Sequence, residues 1–497
     1  MKHLKHILLY TFGLALIVAS CADLSVENLN EPNTKRALSS KADLENLAAS
    51  LYRNFYIDTY GTSPISVFAV VADNATCSWG NYGMRATSSE PRTAWDNTVS
   101  FPYEDVTSNF FDDMYANLSS ASDVLRAIDE GTDFGSNTAR IEAWAKFNQA
   151  INFANVALTF DQGYIITEDT PDSELLSPVL VPSTDIAAKA KELFDEAIAI
   201  ADANSFSLGD GYINGVSGDN VLLSQLANTY AARLLAYMPR TASENNNVDW
   251  SAVKSYASNG ITSDFAVLMD DETWWNNYQW IIAYPGWGRA DMRLANMMYP
   301  DTKAGGYPAH NPDGEDFPAP EEAVVNADPE IDNRIITDFQ HLSSNNFRAE
   351  RGLYHYSSFR MSRYDEYISL WTTEVNELLK AENDMILAEA ELMLGNVSAA
   401  AAILNDPANS RKARGGLPDV AATETEVSDA IHHERQIELA KTSYGVQYFD
   451  MRKRDLLQVG TFTQLPLPAK TLELLEAEKP YYTFGGNQPS SSTGGWR

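Results

Sequence analysis

Side chains able to do bond chemistry are scarce in this chain, and most are spaced wrongly for it. There are 2 cysteines and 7 histidines in 497 residues. His432 and His433 are neighbours, and on a helix adjacent imidazoles diverge by ~100°, whereas a helical zinc pair needs i, i+4 spacing. No glycine-rich phosphate loop and no serine-elbow motif stands out. Glu382 and Glu389 suit one helix face, and paired carboxylates can act as general acid and base on a glycosidic bond. Their positions imply no cleft, so the stronger reading is a structural ion-pair network. Asp313-Gly-Glu-Asp316 carries oxygen ligands of the kind Ca²⁺ takes, but an acidic solvated loop accounts for it better. No cofactor is expected, and Ca²⁺ is the one metal the sequence leaves open.

Helical periodicity accounts for most of the remaining chain. Leu44, Leu47, Ala48, Leu51, Tyr52 and Phe55 share one face. Further helices are predicted at about 107–130, 138–160, 219–238 and 250–259, then 373–394, 396–404 and 427–441, with another starting at 182–185 whose buried stripe runs from Ile186 to Ile198. Pro182-Ser-Thr-Asp185 supplies capping residue types for one of them. The helix at 219–238 is apolar on most sides and should be central. On the helix written as 375–394, Glu382 and Glu389 fall inside the apolar stripe. A buried unpaired carboxylate costs several kcal/mol, so both should meet cations, for which Arg435, Arg452, Lys453 and Arg454 are candidates. Two stretches break the helical rhythm. Residues 73–105 and 265–370 are rich in Gly, Pro and Asn, and they gather Trp79, Tyr82, Trp95, Trp274, Trp275, Tyr278, Trp280, Tyr284 and Trp287. Long loops of this kind are functional or disordered, and the aromatic content argues against disorder. Short pieces such as 352–359 read as strands.

Charge narrows the function. Lys plus Arg total 36 against 68 Asp plus Glu, a net charge of −32, which disfavours nucleic acid and any basic-patch membrane contact. The N-terminus reads as an export signal: Lys2 and Lys5, an apolar run from Ile7 to Val18, then Ala19, Ser20 and Cys21. That ending resembles a bacterial lipoprotein box. The resemblance implies removal of 1–20, acyl chains on Cys21, and attachment to a membrane by the lipid anchor only, at ~0.8 kcal/mol per buried methylene. Cys77 is then left without a disulfide partner. Residues 21–34 read as a linker.

Several motifs, in order, resemble one family. They are Glu434-Arg-Gln-Ile-Glu438-Leu-Ala440, Gly445-Val-Gln-Tyr-Phe-Asp450-Met-Arg-Lys453, and Leu465-Pro-Leu-Pro-Ala-Lys470. Ala388-Glu-Ala-Glu391 with Gly395-Asn396, Arg414-Gly-Gly-Leu-Pro418, Asp73 to Asn81 and Ser119 to Leu125 add to them. Together with the lipoprotein box they are similar to the SusD/RagB family of surface nutrient-binding lipoproteins of Bacteroidetes. The chain departs from the family where Glu-Gly and then Arg are common, having Tyr444-Gly445 and Gln447 there. The resemblance implies a mainly α, SusD-like fold: about four tetratricopeptide-like helix pairs packed against an irregular loop-rich region with a few short strands. It implies a single domain at 35–497, with a helical part at about 35–265, a ligand-facing loop-rich part at about 266–370, and a helical part at about 371–497. It also implies location at the outer-membrane surface, an oligosaccharide ligand, a SusC-like TonB-dependent transporter as partner, and no catalysis. The competing readings are a peptide-binding importer subunit of RagB type and a helical glycoside hydrolase.

Sugar rings have apolar faces and polar rims, so they stack on exposed aromatic planes and exchange hydrogen bonds with side chains at the edges. On that basis the candidate ligand residues are Trp79, Asn81, Tyr82, Arg85, Trp274, Trp275, Asn277, Trp280, Trp287 and Arg289, with Asn276 beside them. Adjacent Trp274 and Trp275 point apart, so at least one is a surface candidate. Trp287 lies between Gly286 and Gly288, which would let a ligand approach closely.

Overall fold

The computed structural model describes residues 40–77, 80–209, 211–300, 319, 321–346 and 356–494. The expected signal segment 1–20, Cys21, the linker 21–34, Trp79 and Asp313–Asp316 lie outside the described residues. The chain divides into two compact units, Met1–Leu44 and Glu45–Arg497. In the first, residues 40–44 are described.

The main helices are α1 (Lys41–Tyr60), α2 (Ile65–Val71), α3 (Asp105–Asp129), α4 (Thr138–Thr159), α5 (Ser183–Ala203), α6 (Asn220–Tyr237), α7 (Trp250–Ser258), α8 (Asn277–Ala283), α9 (Asp365–Leu370), α10 (Lys380–Met393), α11 (Val397–Leu404), α12 (Glu424–Ile437) and α13 (Val446–Lys453). Strands are short: β1 (Ala75–Cys77), β2 (Gln162–Tyr164), β3 (Leu180–Pro182), β4 (Phe265–Leu268), β5 (Gly288–Ala290), β6 (Phe339–His341), β7 (Phe359–Met361) and β8 (Glu374–Leu378). They form two-stranded antiparallel ribbons, β1–β5, β2–β3, β4–β8 and β6–β7. The protein is therefore mainly α with a few small strands, as the sequence predicts.

Helices pack in pairs, α3 on α4, α5 on α6, α7 on α10 and α11 on α12, and α4 on α5 and α6 on α7 join successive pairs. α6 is buried on most sides, as its apolar sequence requires, and so is α4. On α4 two polar residues at core positions donate locally, Asn148 Nδ2 to the Trp144 carbonyl and Asn152 Nδ2 to the Asn148 carbonyl, while the Oδ1 atoms of both are buried without a partner. Asp219 caps α6 and Asp249 caps α7 through side-chain bonds to backbone N–H groups. α5 starts where expected but without a side-chain cap, because Pro182 ends β3 directly before it.

One predicted helix is corrected. Residues 373–394 do not form a single helix: Glu374–Leu378 is strand β8, and α10 begins at Lys380. β8 pairs with β4, placing Val375 opposite Val267 and Leu378 opposite Phe265. Glu382 and Glu389 remain buried on α10 and both meet cations. Glu382 pairs with Arg233 at 2.6 Å, and Glu389 pairs with Arg435 at 2.7 Å and with Lys453. Arg452, an expected partner, instead donates to the carbonyls of Leu158, Thr463 and Tyr237.

Candidate functional site

The site grows from α8. Its N-cap is Asn276, whose Oδ1 accepts from the Gln279 N–H at 2.9 Å while its Nδ2 donates to Tyr56 Oη at 3.0 Å. Tyr367 Oη donates to the Asn276 carbonyl at 3.1 Å. At the other face Gln279 Nε2 donates to the Lys441 carbonyl at 3.0 Å. A seven-residue helix is not stable alone, so these bonds to α1, α9 and the segment after α12 fix where its side chains point. Ahead of α8, Asp270 accepts from the N–H groups of Glu272, Thr273 and Trp274. Burial pushes the Asp270 carboxyl up, but the Thr273 hydroxyl and these N–H groups outweigh it and bring it to about 2. The turn is thus held by an ionised carboxylate across the physiological range.

What α8 presents is a half-buried aromatic cluster. Trp280 is its hub, with ring centroids 5.0 Å from Tyr284, 4.7 Å from Trp287 and 5.3 Å from Trp371. Trp287 meets Trp280 edge to face, at 88°, and lies 5.4 Å from Tyr284. Edge-to-face and tilted contacts of this kind hold rings rigidly. Asn277 Nδ2 donates to Tyr82 Oη at 2.6 Å, tying α8 to the 81–88 segment.

The β1–β5 ribbon joins the two aromatic stretches that the sequence separates by about two hundred residues. It aligns Thr76 with Arg289 and Cys77 with Gly288. Gly288 is required here for packing against the protein's own backbone: a Cβ at this position would stand 1.6 Å from the Ile282 carbonyl oxygen. This corrects the expectation that its small size serves a ligand.

Among the predicted residues, Tyr82, Trp275, Asn277, Trp280 and Trp287 are half-buried, and Asn81 and Arg85 are exposed. Trp274 and Arg289 are interior, a correction to their placement on a ligand surface. Trp274 is 6% exposed with its ring 5.8 Å from Tyr56. Arg289 is 4% exposed and donates to the carbonyls of Pro285, Gly288 and Ser344, so it braces the loop that carries Trp287. Trp275 is half-buried, with its ring edge close to Gly61.

No family model matches the chain, and no curated protein does. Solved structures match over most of its length. A SusD-like carbohydrate binding protein from Bacteroides fragilis superposes with TM-score 0.57 at 15% identity, covering 83% of this chain and 86% of that one. A SusD superfamily protein from Bacteroides thetaiotaomicron gives 0.57 at 14%, covering 83% and 88%. Surface glycan-binding protein A from Bacteroides uniformis gives 0.56 at 13%, covering 83% and 88%.

The chain has a SusD-like fold. Within this SusD-like body, the motif corner at 434–453 carries the architecture. Arg334 is fully buried and bonds Asp332, Glu434 and Glu438, while Arg435 bonds Glu389 and Asp450. His432 lies between Asp450, 2.6 Å from Nδ1, and Arg293, 2.7 Å from Nε2. Burial pulls its imidazole down to about 4, so Nδ1–H donates and Nε2 accepts. His433 Nε2 pairs with Asp332 Oδ2 at 2.8 Å. Gln447 closes the corner with an amide, its Nε2 donating to the carbonyls of Arg435 and Leu439. Among the described residues no group of His, Cys, Asp and Glu is arranged to hold a metal, and no helix is long and apolar enough to cross a membrane.

Trp371 belongs to the aromatic cluster but escaped the sequence reading. It follows α9 in Ser-Leu-Trp-Thr-Thr, without the Gly, Pro and Asn neighbours that mark the other loop aromatics. The signal available was a large apolar residue directly at a helix end.

Proposed function

We propose that this protein is a member of the SusD/RagB family, a lipid-anchored protein of the outer-membrane surface. In this reading it binds an oligosaccharide and delivers it, uncleaved, to a TonB-dependent transporter. One observation carries the ligand class: the cluster of Trp280, Tyr284, Trp287 and Trp371 is held rigid by the protein yet left half-exposed. Covering the part of the cluster left open would gain only a fraction of the ~1.5–3 kcal/mol that full burial of a large side chain is worth, and a ligand stacking on its open side would supply that cover. Asn277, which is bonded to Tyr82, and the exposed Asn81 and Arg85 of the Tyr82 segment would supply hydrogen bonds to a sugar rim. The names of the matched carbohydrate-binding and glycan-binding structures point the same way. The acidic net charge of −32 suits a neutral ligand better than an anionic one.

The test is a glycan array set beside a peptide array, with reducing ends measured after prolonged incubation with every glycan that binds. Glycan binding without new reducing ends is the expected outcome. Binding confined to peptides would move the protein to the importer-subunit reading, and new reducing ends would make it a hydrolase.

A further inference from the structure

We propose that Trp371 is a ligand-contacting residue and that Tyr82 and Trp371 are the two ends of the surface that grips the sugar. The inference rests on the glycan-binding reading and adds a residue and an extent to it.

The observation is where the backbone is strained. Ten non-glycine residues among those described have positive φ, and two of them are aromatic: Tyr82 at φ 55° and Trp371 at φ 59°. A left-handed conformation brings Cβ against the following carbonyl, and for a bulky side chain it is an outlier. Such strain persists where the surrounding structure enforces it, and it concentrates at ligand sites. Both residues reach the same short helix from different parts of the chain. Tyr82 Oη accepts from Asn277 Nδ2 at 2.6 Å, and Trp371 sits 5.3 Å from Trp280 on the next turn of α8.

Both rings pack on the edge of the core, Trp371 with its ring 5.9 Å from the buried Tyr367, and both remain partly open. Trp371 ends α9 as its C-cap, a position where glycine would adopt the left-handed turn freely. An indole stands there instead, preceded by Leu370 at 57% exposure. The chain accepts the strain and keeps the ring. Trp280 has aromatic rings on three sides, which makes it the brace. Trp287 and Trp371, on different sides of that brace, then offer surface to the ligand, and Tyr82 with Asn277 bounds it.

The test uses the full chain in detergent and four probes: soluble starch, xyloglucan, galactomannan and mucin glycans. Affinity is measured for the probe that wild type binds best. Trp371→Gly and Trp371→Ala both delete the ring, but glycine relieves the backbone and alanine does not, so the glycine variant should melt higher. Both should lose affinity by about tenfold, the size expected for one aromatic stacking partner, while Trp371→Tyr keeps it within about threefold. Wild-type affinity in both deletions, or affinity that follows the melting temperature, would mean Trp371 only braces the cluster. Trp287→Ala separates the two levels. If it binds poorly while the Trp371 variants bind normally, this inference alone fails. If it also binds like wild type, or if none of the probes binds wild type, the glycan surface itself is refuted.

Discussion

Around Arg334 and Arg435 the protein takes charges out of water; around Trp280 it leaves aromatic rings partly in it. The first region is sealed: Asp332, Arg334, Glu434, Arg435 and Asp450 are all fully buried and each has an opposite charge within 3.0 Å. The second consists of Trp280 with three rings around it, the whole left partly open. Both arrangements reverse the default, in which charge faces solvent and indole faces the core. They do so for different reasons. A buried ion pair adds little net stability but fixes geometry, since removing one partner strands the other. Rings left partly open give up some of what full burial would add, and that opening has to be explained by what it touches. The contrast teaches that the long-range contacts of α10, α12 and α13 are architectural, while the proposed ligand surface is carried by one short helix and the loops tied to it.

The largest effect separating the regions should come from Arg435→Ala. It leaves Glu389 and Asp450 short of a cation and should destabilise by ~3–5 kcal/mol in urea unfolding; a cost below ~1 kcal/mol would show that the corner is dispensable. Acid should act on the same region. Burial raises the Glu389 carboxyl, but Arg435, Lys453 and Arg454 outweigh it and hold it at about 2. Because its folded pKa lies below the unfolded one, its contribution is complete above pH ~4.5 and is lost as pH falls through about 2. Glu389→Gln should therefore be less stable than wild type at neutral pH, with the gap closing across that window; a constant gap would contradict the ion-pair account. Glu377 runs the other way. Burial lifts it to about 7, against the hydroxyls of Tyr230 and Tyr52. A raised carboxyl contributes stability below pH ~4.5 that is lost as pH rises through about 7. Thermal melts of Glu377→Gln should thus flatten the wild-type decline between those limits. The smallest effect is Asn276→Ala, which removes the α8 cap and the bond to Tyr56 for ~1 kcal/mol. It should loosen the cluster, seen as a red shift of indole fluorescence, without unfolding the body.

Much of the helical frame could be read directly. α4 was expected at 138–160 and spans Thr138–Thr159, because its spacing of Trp144, Phe147, Ile151 and Leu158 is long and regular. The charged corner was legible too, since Glu382 and Glu389 in an apolar stripe demand cations. β8 was not. Its core-facing position 377 is a glutamate, satisfied by Tyr52 and Tyr230 from distant helices, and that hides the two-residue alternation. The aromatic stretches announced themselves by composition, but three facts depended on contacts far apart in sequence. These are the β1–β5 pairing that joins the stretches, the burial of Trp274 against Tyr56, and the use of Arg289 within its own loop.

The claim that the aromatic cluster is the ligand surface is tested most directly by titrating the best-binding glycan into Trp287→Ala beside wild type, with melting curves on both. Loss of affinity by about tenfold or more, with the melting temperature within ~2 °C, is the predicted result. Unchanged affinity in a folded Trp287→Ala protein would contradict it.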